Sequence, residues 1–142
     1  MNILVKNNFY SAFTSIGFII GKLKEDLTAL NYNNDKINEV FVIIDEWTSN
    51  IIKYAYKKDK NRQFLFEAYI LDDNETLVMK FEDEGEQFNP MDYNKVPDYN
   101  VPIEDLPIGG LGIKFIKEVS DSVEYEYTPN KRNLLTVKKN IK

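Results

Sequence analysis

Apolar residues recur at steps of three and four over residues 9–30, at Phe13, Ile16, Ile20, Leu23, Leu27 and Leu30, which predicts an amphipathic helix. Gly17 and Gly21 interrupt it. A polar break over residues 31–35 follows, with Asp35 placed to cap the next helix. That second helix, from about 36 to 56, is the most periodic segment. Its stripe runs through Ile37, Val40, Phe41, Ile44, Thr48, Ile51, Ile52 and Ala55. A short strand is predicted over 2–7, and two more over 63–71 and 75–81, joined by a turn at Asp72, Asp73, Asn74 and Glu75. Residues 82–108 carry Pro90, Pro97, Pro102 and Pro107 and no period, and a loop of that length in a compact domain is usually functional or disordered. A helix over 111–120 and a hairpin of strands 122–128 and 134–139 complete the chain.

The order β, α, α, β, β, loop, α, β, β predicts a two-layer α/β (α+β) sandwich. Its sheet is expected to be mixed, mostly antiparallel, with helices on one face, rather than doubly wound and parallel. At 142 residues the chain is expected to be one domain, 1–142, with a sizeable core.

Composition narrows the chemistry. The net charge of −5 argues against a dedicated nucleic-acid binder, which would show a basic stripe. There is no cysteine, so thiolate metal sites and disulfides are excluded. There is no histidine, which removes the commonest general base and any phosphohistidine chemistry within this chain. No apolar run approaches a membrane span and no signal-peptide layout is present, so a cytoplasmic location without membrane attachment is the default expectation.

Four stretches could carry chemistry. Glu46 and Asn50 stand four apart and share a face of the second helix. An isolated pair of this kind is ordinarily a solvated face; the alternative is a proton-accepting carboxylate beside an amide oxygen suited to Mg²⁺. Ile43, Trp47 and Tyr54 flank the pair with apolar surface, so the face is not plainly a solvent face. Asp83 and Gly85 follow a strand. They are either an acidic turn, or an acceptor for an amino group with a glycine that lets a flat ring come close. Gly109, Gly110 and Gly112 crowd the start of the third helix, where free backbone N–H groups and the positive end of the helix dipole suit phosphate. A tight loop is the plainer explanation. Thr136, in the last strand, is unremarked by itself.

Taken together and in order, these stretches resemble the GHKL (Bergerat-fold) ATPases, and more narrowly the anti-sigma-factor serine kinases of bacterial partner switching, of the RsbW and SpoIIAB type. Glu46, Asn50, Tyr54, Ala55 and Tyr56 match the family's N-box. Asp83, Glu84 and Gly85, followed by Phe88, Asn89 and Pro90, match its D-x-G box. Gly109, Gly110, Leu111, Gly112 and Ile113 match the end of its lid, and Asn133, Leu135, Thr136, Val137 and Lys139 match its closing strand. The likeness spans about residues 9 to 139.

The resemblance implies ATP or ADP with Mg²⁺ as ligands. Glu46 would be the general base and Asn50 the Mg²⁺ ligand. Asp83 would accept from the adenine amino group, with Gly85 letting the ring approach and Thr136 as a second adenine contact. Gly109, Gly110, Leu111 and Gly112 would line the triphosphate, below a lid over about 86–110. It implies a serine/threonine protein kinase and anti-sigma factor, acting as a homodimer on a STAS-type anti-anti-sigma protein and holding a sigma factor. The alternative is a non-catalytic nucleotide switch that sequesters a partner. The sequence departs from the family at Ile51, Tyr54 and Gln87. Its lid has no arginine, which leaves phosphate charge to Mg²⁺, backbone N–H groups and Lys95 or Lys114.

Overall fold

The computed structural model describes residues 1–88 and 110–142. Its elements are β1 (Asn2–Tyr10), α1 (Phe13–Ala29), α2 (Asn34–Asn50), a π-turn (Ile51–Ala55), β2 (Gln63–Ile70), β3 (Thr76–Asp83), α3 (Gly110–Val119), β4 (Ser122–Tyr127) and β5 (Asn133–Asn140). The five strands form one sheet in the order β1-β2-β3-β5-β4. Every neighbouring pair is antiparallel, so the expected mixed sheet has no parallel pairing among the described residues.

Strand alternation selects the core. Phe64, Phe66, Ala68 and Ile70 of β2 are buried, as are Leu77, Met79 and Phe81 of β3 and Leu135 and Val137 of β5. They meet Ile19, Leu23 and Leu27 of α1, Val40, Ile43 and Ile44 of α2, and Ile113 and Ile116 of α3 in one cluster. The amphipathic periods and the two-residue strand period therefore converge on a single interface. No helix among the described residues is long and apolar enough to cross a membrane.

Three local expectations are corrected. β1 runs to Tyr10, so Phe9 belongs to the sheet, where it pairs with Phe64 and packs against its ring at 6.0 Å. Phe9 also fits the helical period of the next segment, and only the pairing partner decides. The cap of α2 is Asn33, whose side chain accepts from the N–H groups of Asp35 and Lys36. Asp35 sits instead in the first turn, where its charge favours the helix dipole. The second helix does not run on uniformly: beyond Asn50 it widens, with the Tyr56 N–H reaching the Ile51 carbonyl at 2.9 Å. Such π-turns are rare and gather at functional sites.

Lys139 joins three elements. It lies on the buried side of β5, and its ammonium donates to Glu39 Oε2 of α2 at 2.6 Å and to the Val119 carbonyl of α3 at 2.5 Å. A cation at a helix C-terminus satisfies an orphan carbonyl and favours the dipole. Lys139→Ala should therefore lower stability by about 1–3 kcal/mol, with Lys139→Met recovering part of that through packing. Urea unfolding measures both; a loss below about 0.5 kcal/mol for the alanine variant would mean the ammonium is only a surface charge.

Candidate functional site

A cavity of about 120 Å³ lies between α2, the π-turn and the C-terminal end of β3. Trp47, Asn50, Ile51, Tyr54 and Ala55 line one wall, Asp83 and Asn133 the floor, and Glu86, Gln87 and Phe88 the other wall. Steps of three and four along α2 and the π-turn place the first wall on a single face. Trp47 and Ile51 also belong to the main apolar cluster, so this face joins the core to the cavity.

The floor is a closed hydrogen-bond unit. Asp83 and Asn133 are register partners on β3 and β5, and both are buried. Asp83 Oδ1 accepts from the Gly85 N–H at 2.8 Å and from Asn133 Nδ2 at 3.0 Å. Asp83 Oδ2 takes no hydrogen bond from any described residue. The Asn133 amide also donates to the carbonyls of Gly85 at 3.2 Å and Glu86 at 3.0 Å. Its oxygen accepts from the Tyr125 hydroxyl at 2.6 Å and the Phe88 N–H at 3.1 Å. One side chain thereby fixes the acidic residue and the strap from Gly85 to Phe88.

Burial pushes the Asp83 carboxyl above its ordinary 3.8, opposed first by the hydrogen bond from Asn133 and then by that from Gly85. Burial likewise raises the Tyr56 phenol. Tyr56 ties the walls together, donating to the Gln63 carbonyl at 2.7 Å and accepting from the Glu84 N–H at 2.7 Å.

Two glycines allow the close approaches. A Cβ on Gly85 would lie 2.6 Å from Ala55 Cβ and 2.9 Å from the Ala55 carbonyl oxygen, so the strap presses directly on the π-turn. The direction left empty by Gly85 is filled by Ala55 and not by a ligand ring, which changes the reason for the glycine. A Cβ on Gly112 would lie 2.5 Å from Glu46 Oε2. The Glu46 carboxylate therefore rests on the first turn of α3, one helical turn along α2 from Asn50, as the shared-face argument requires.

Of the residues singled out in the sequence, Asn50 and Asp83 line the cavity, Gly85 stands against Ala55 of its wall, and Glu46 meets Gly112 of α3 without lining it. Gly110 and Leu111 open α3. Gly109, Lys95 and most of the expected lid, residues 89–109, lie outside the described residues, as does the side chain of Leu111. Lys114 is exposed on α3.

Thr136 does not reach the site. It pairs with Lys80 and Glu124 on the sheet face away from the helices, because β5 turns Asn133, Leu135, Val137 and Lys139 inward. A strand's two-residue period puts an even offset on one face and an odd offset on the other. The β5 residue that reaches the floor is Asn133, three positions earlier. Its presence in the closing-strand motif and the alternation of that strand were the available signals.

Two outcomes follow. Gly85→Ala should destabilise the chain by about 1–3 kcal/mol, since Ala55 contributes backbone to the clash; an unchanged melting temperature would mean the strap can move aside. For Asp83, the folded chain keeps a proton between pH 3.8 and its raised value that the unfolded chain has lost. Stability attributable to Asp83 thus falls as pH rises through that window. Asp83→Asn should flatten that segment of the stability–pH curve and be neutral or stabilising at pH 7. A variant clearly less stable at pH 7 would show that the charge itself holds the floor together.

Comparison with known proteins bears on the family and the fold. The serine-protein kinase RsbW of Bacillus cereus (strain ATCC 10987 / NRS 248) is 27% identical over 114 residues, covering 75% of this chain and 67% of that protein. The serine-protein kinase RsbW of Bacillus subtilis (strain 168) is 25% identical over 117 residues, covering 78% and 70%. Among solved structures, a chain in the SiaB–SiaC complex from Pseudomonas aeruginosa superposes with a TM-score of 0.68 at 19% identity, over 99% of this chain and 91% of that one. The RsbU and RsbW domains of a Mycobacterium tuberculosis protein give 0.63 at 11% identity, over 96% of this chain and 32% of that one. These two share the fold. Residues 19–139 match the histidine kinase-like ATPase domain, and the chain belongs to that family.

Proposed function

We propose that this chain is an ATP-dependent serine/threonine protein kinase that also acts as an anti-sigma factor, with a STAS-type anti-anti-sigma protein as its phosphoacceptor. The observation that carries the reading is the Asp83 carboxylate, held by one oxygen on the floor of a cavity with its other oxygen unengaged by the described residues. An acceptor-only group in a partly apolar pocket selects a ligand that brings an amino donor, as adenine does. The RsbW relatives, named serine-protein kinases, support the reaction class. A homodimer is part of the proposal.

The donor set suits Mg²⁺ only alongside a phosphate-bearing ligand. No group of three His, Cys, Asp or Glu side chains gathers among the described residues. Mg²⁺ keeps several waters and shares its remaining positions between one or two protein oxygens and substrate phosphates. Asn50 fits that part: it lines the cavity, and its Nδ2 is tied to no described residue, so the amide is free to turn its oxygen outward. When bound, the metal would offset charge on the phosphates. Glu46, against the first turn of α3, would hold the proton taken from the acceptor serine hydroxyl. The N–H groups of that turn would meet the phosphate oxygens.

Glu46→Gln should retain nucleotide binding and lose about 10²–10⁴-fold in phosphoryl transfer, because shape is kept and the proton acceptor is removed. Asn50→Ala should instead weaken Mg²⁺-dependent nucleotide binding. Calorimetry with ATP and ADP, and phosphoserine detection on the STAS protein, separate the two. If the wild type binds nucleotide but phosphorylates nothing, and Glu46→Gln releases its partner as the wild type does, the kinase claim is falsified and a nucleotide switch takes its place.

A further inference from the structure

Residues 53–62 carry five cations, Lys53, Lys57, Lys58, Lys60 and Arg62, against one carboxylate, Asp59, a net of +4 in a chain whose total is −5. The remainder of the chain therefore carries −9. All five cations are exposed. The four lysines enter no ion pair with any described residue. The turn between β4 and β5 adds Lys131 and Arg132. Arg132 Nη2 lies 2.6 Å from Glu84 Oε1, and Arg62 Nη2 lies 4.0 Å from Glu84 Oε2. The two basic turns thus stand side by side with a single carboxylate between them.

The first turn is firmly built. The Lys58 N–H donates to the Ile52 carbonyl at 2.7 Å and the Asp59 N–H to the Tyr56 carbonyl at 2.9 Å. The Asn61 N–H donates to Asp59 Oδ1 at 3.0 Å, and the Arg62 guanidinium lies over the Tyr56 ring at 4.4 Å. Lys57, Lys58 and Lys131 have φ of 49°, 64° and 60°. In that left-handed region a Cβ crowds the backbone, and glycine or asparagine fits at less cost. Among the described residues the only other non-glycine positions with positive φ are Asn31 and Asn74. Ammonium groups therefore occupy strained positions in both basic turns, and such strain gathers at functional sites. Beside the first turn, the Ser11 N–H donates to the Arg62 carbonyl at 2.8 Å, which brings the segment with exposed Tyr10 and Phe13 alongside it.

We propose that the turn over residues 57–62, together with Lys131 and Arg132, is a docking surface for an acidic segment of a protein partner. Charge complementarity selects the occupant. Screening confines an exposed charge to about 8–10 Å in physiological salt, so a short run of carboxylates on the two turns meets their positive field alone. A nucleic-acid backbone or a membrane plane extends further and meets the −9 of the remaining surface. Tyr10 and Phe13 offer apolar contact to a side chain within the acidic segment, and aromatic residues with arginine are the usual composition of protein interfaces. The surface makes no use of the cavity, so failure of the nucleotide reading leaves it standing.

A fluorescein-labelled polyglutamate peptide with one central phenylalanine is the probe, and its polyglutamine counterpart the control. Fluorescence anisotropy with the full chain at about 50 mM salt should show the glutamate peptide binding and the glutamine peptide not, with affinity falling as salt rises. The triple variant Lys57→Gln, Lys58→Gln, Lys60→Gln should bind about 3- to 30-fold more weakly. Lys6→Gln, Lys22→Gln, Lys24→Gln, with the same change in net charge on β1 and α1, should bind as the wild type does. Melting curves verify that both variants fold. Equal binding of the two peptides would overturn the inference, as would equal losses in the two variants. Tighter binding of a single-stranded DNA oligonucleotide, or of phosphatidylserine vesicles, than of the glutamate peptide would overturn the choice of occupant. If the 57–60 variant fails to fold, the salt dependence and the peptide comparison on the wild type decide.

Discussion

The Asn133 amide sits where β5 begins, beside the end of β3, and engages groups from three segments at once. Its nitrogen donates to the Asp83 carboxylate and to the carbonyls of Gly85 and Glu86, and its oxygen accepts from the Tyr125 hydroxyl and the Phe88 N–H. A primary amide offers two donors and two acceptor lone pairs, and here they are fully used. Buried polar groups are costly when half satisfied and rigid when fully satisfied. The Asn133 amide belongs to the second kind, whereas Asp83 keeps its Oδ2 unengaged among the described residues. Asp83 lines the cavity, and one of its carboxylate oxygens is held by the side chain that also anchors the opposite wall.

The walls owe their spacing to two missing side chains. Gly85 lets the strap meet Ala55, and Gly112 lets α3 meet Glu46. Both contacts fall on one continuous helical run, at Glu46 and at Ala55, nine residues apart. The π-turn between Asn50 and Tyr56 belongs to this geometry. It inserts an extra residue into the last turn, and Tyr56 then bridges β2 and the end of β3 through its hydroxyl. Core packing and site geometry are the same set of contacts here. Trp47 belongs to the main apolar cluster and also lines the cavity.

Distance from the relatives sharpens the point. At 25–27% identity to the RsbW kinases, most core side chains are free to change provided volume and pattern are kept. What a nucleotide site needs is narrower: an acceptor at a strand end, an amide and a carboxylate on one helical face, and a helix start open to phosphate. This chain has no histidine and no cysteine, so the chemistry proposed for it rests on oxygen and amide groups. Lys139 shows how remote structure supports that arrangement. By holding the C-terminal end of α3 to α2 it fixes where the helix's N-terminal end, with Gly110 and Gly112, must lie.

Chain-local information was enough for much of this. Hydrophobic period alone located three helices and five strands in order, because each element must bury one face and the periods 3.6 and 2 are distinct. The spacing of Glu46 and Asn50 fixed their common face, since one turn of helix is a local property. Tertiary contacts decided the rest. Phe9 satisfied both a strand and a helix until Phe64 was there to pair with it. The π-turn is invisible in a stripe that continues smoothly through Ile51, Ile52 and Ala55. The reason for Gly85 lies in Ala55, thirty residues away. Thr136 read as a site residue because its motif carries no record of facing, whereas the register of β5 against β3 turns it away and brings Asn133 to Asp83. Sequence determines what each segment can bury. Which atom finally meets which is set by pairing register and by close approach between distant segments, and neither quantity is local to the chain.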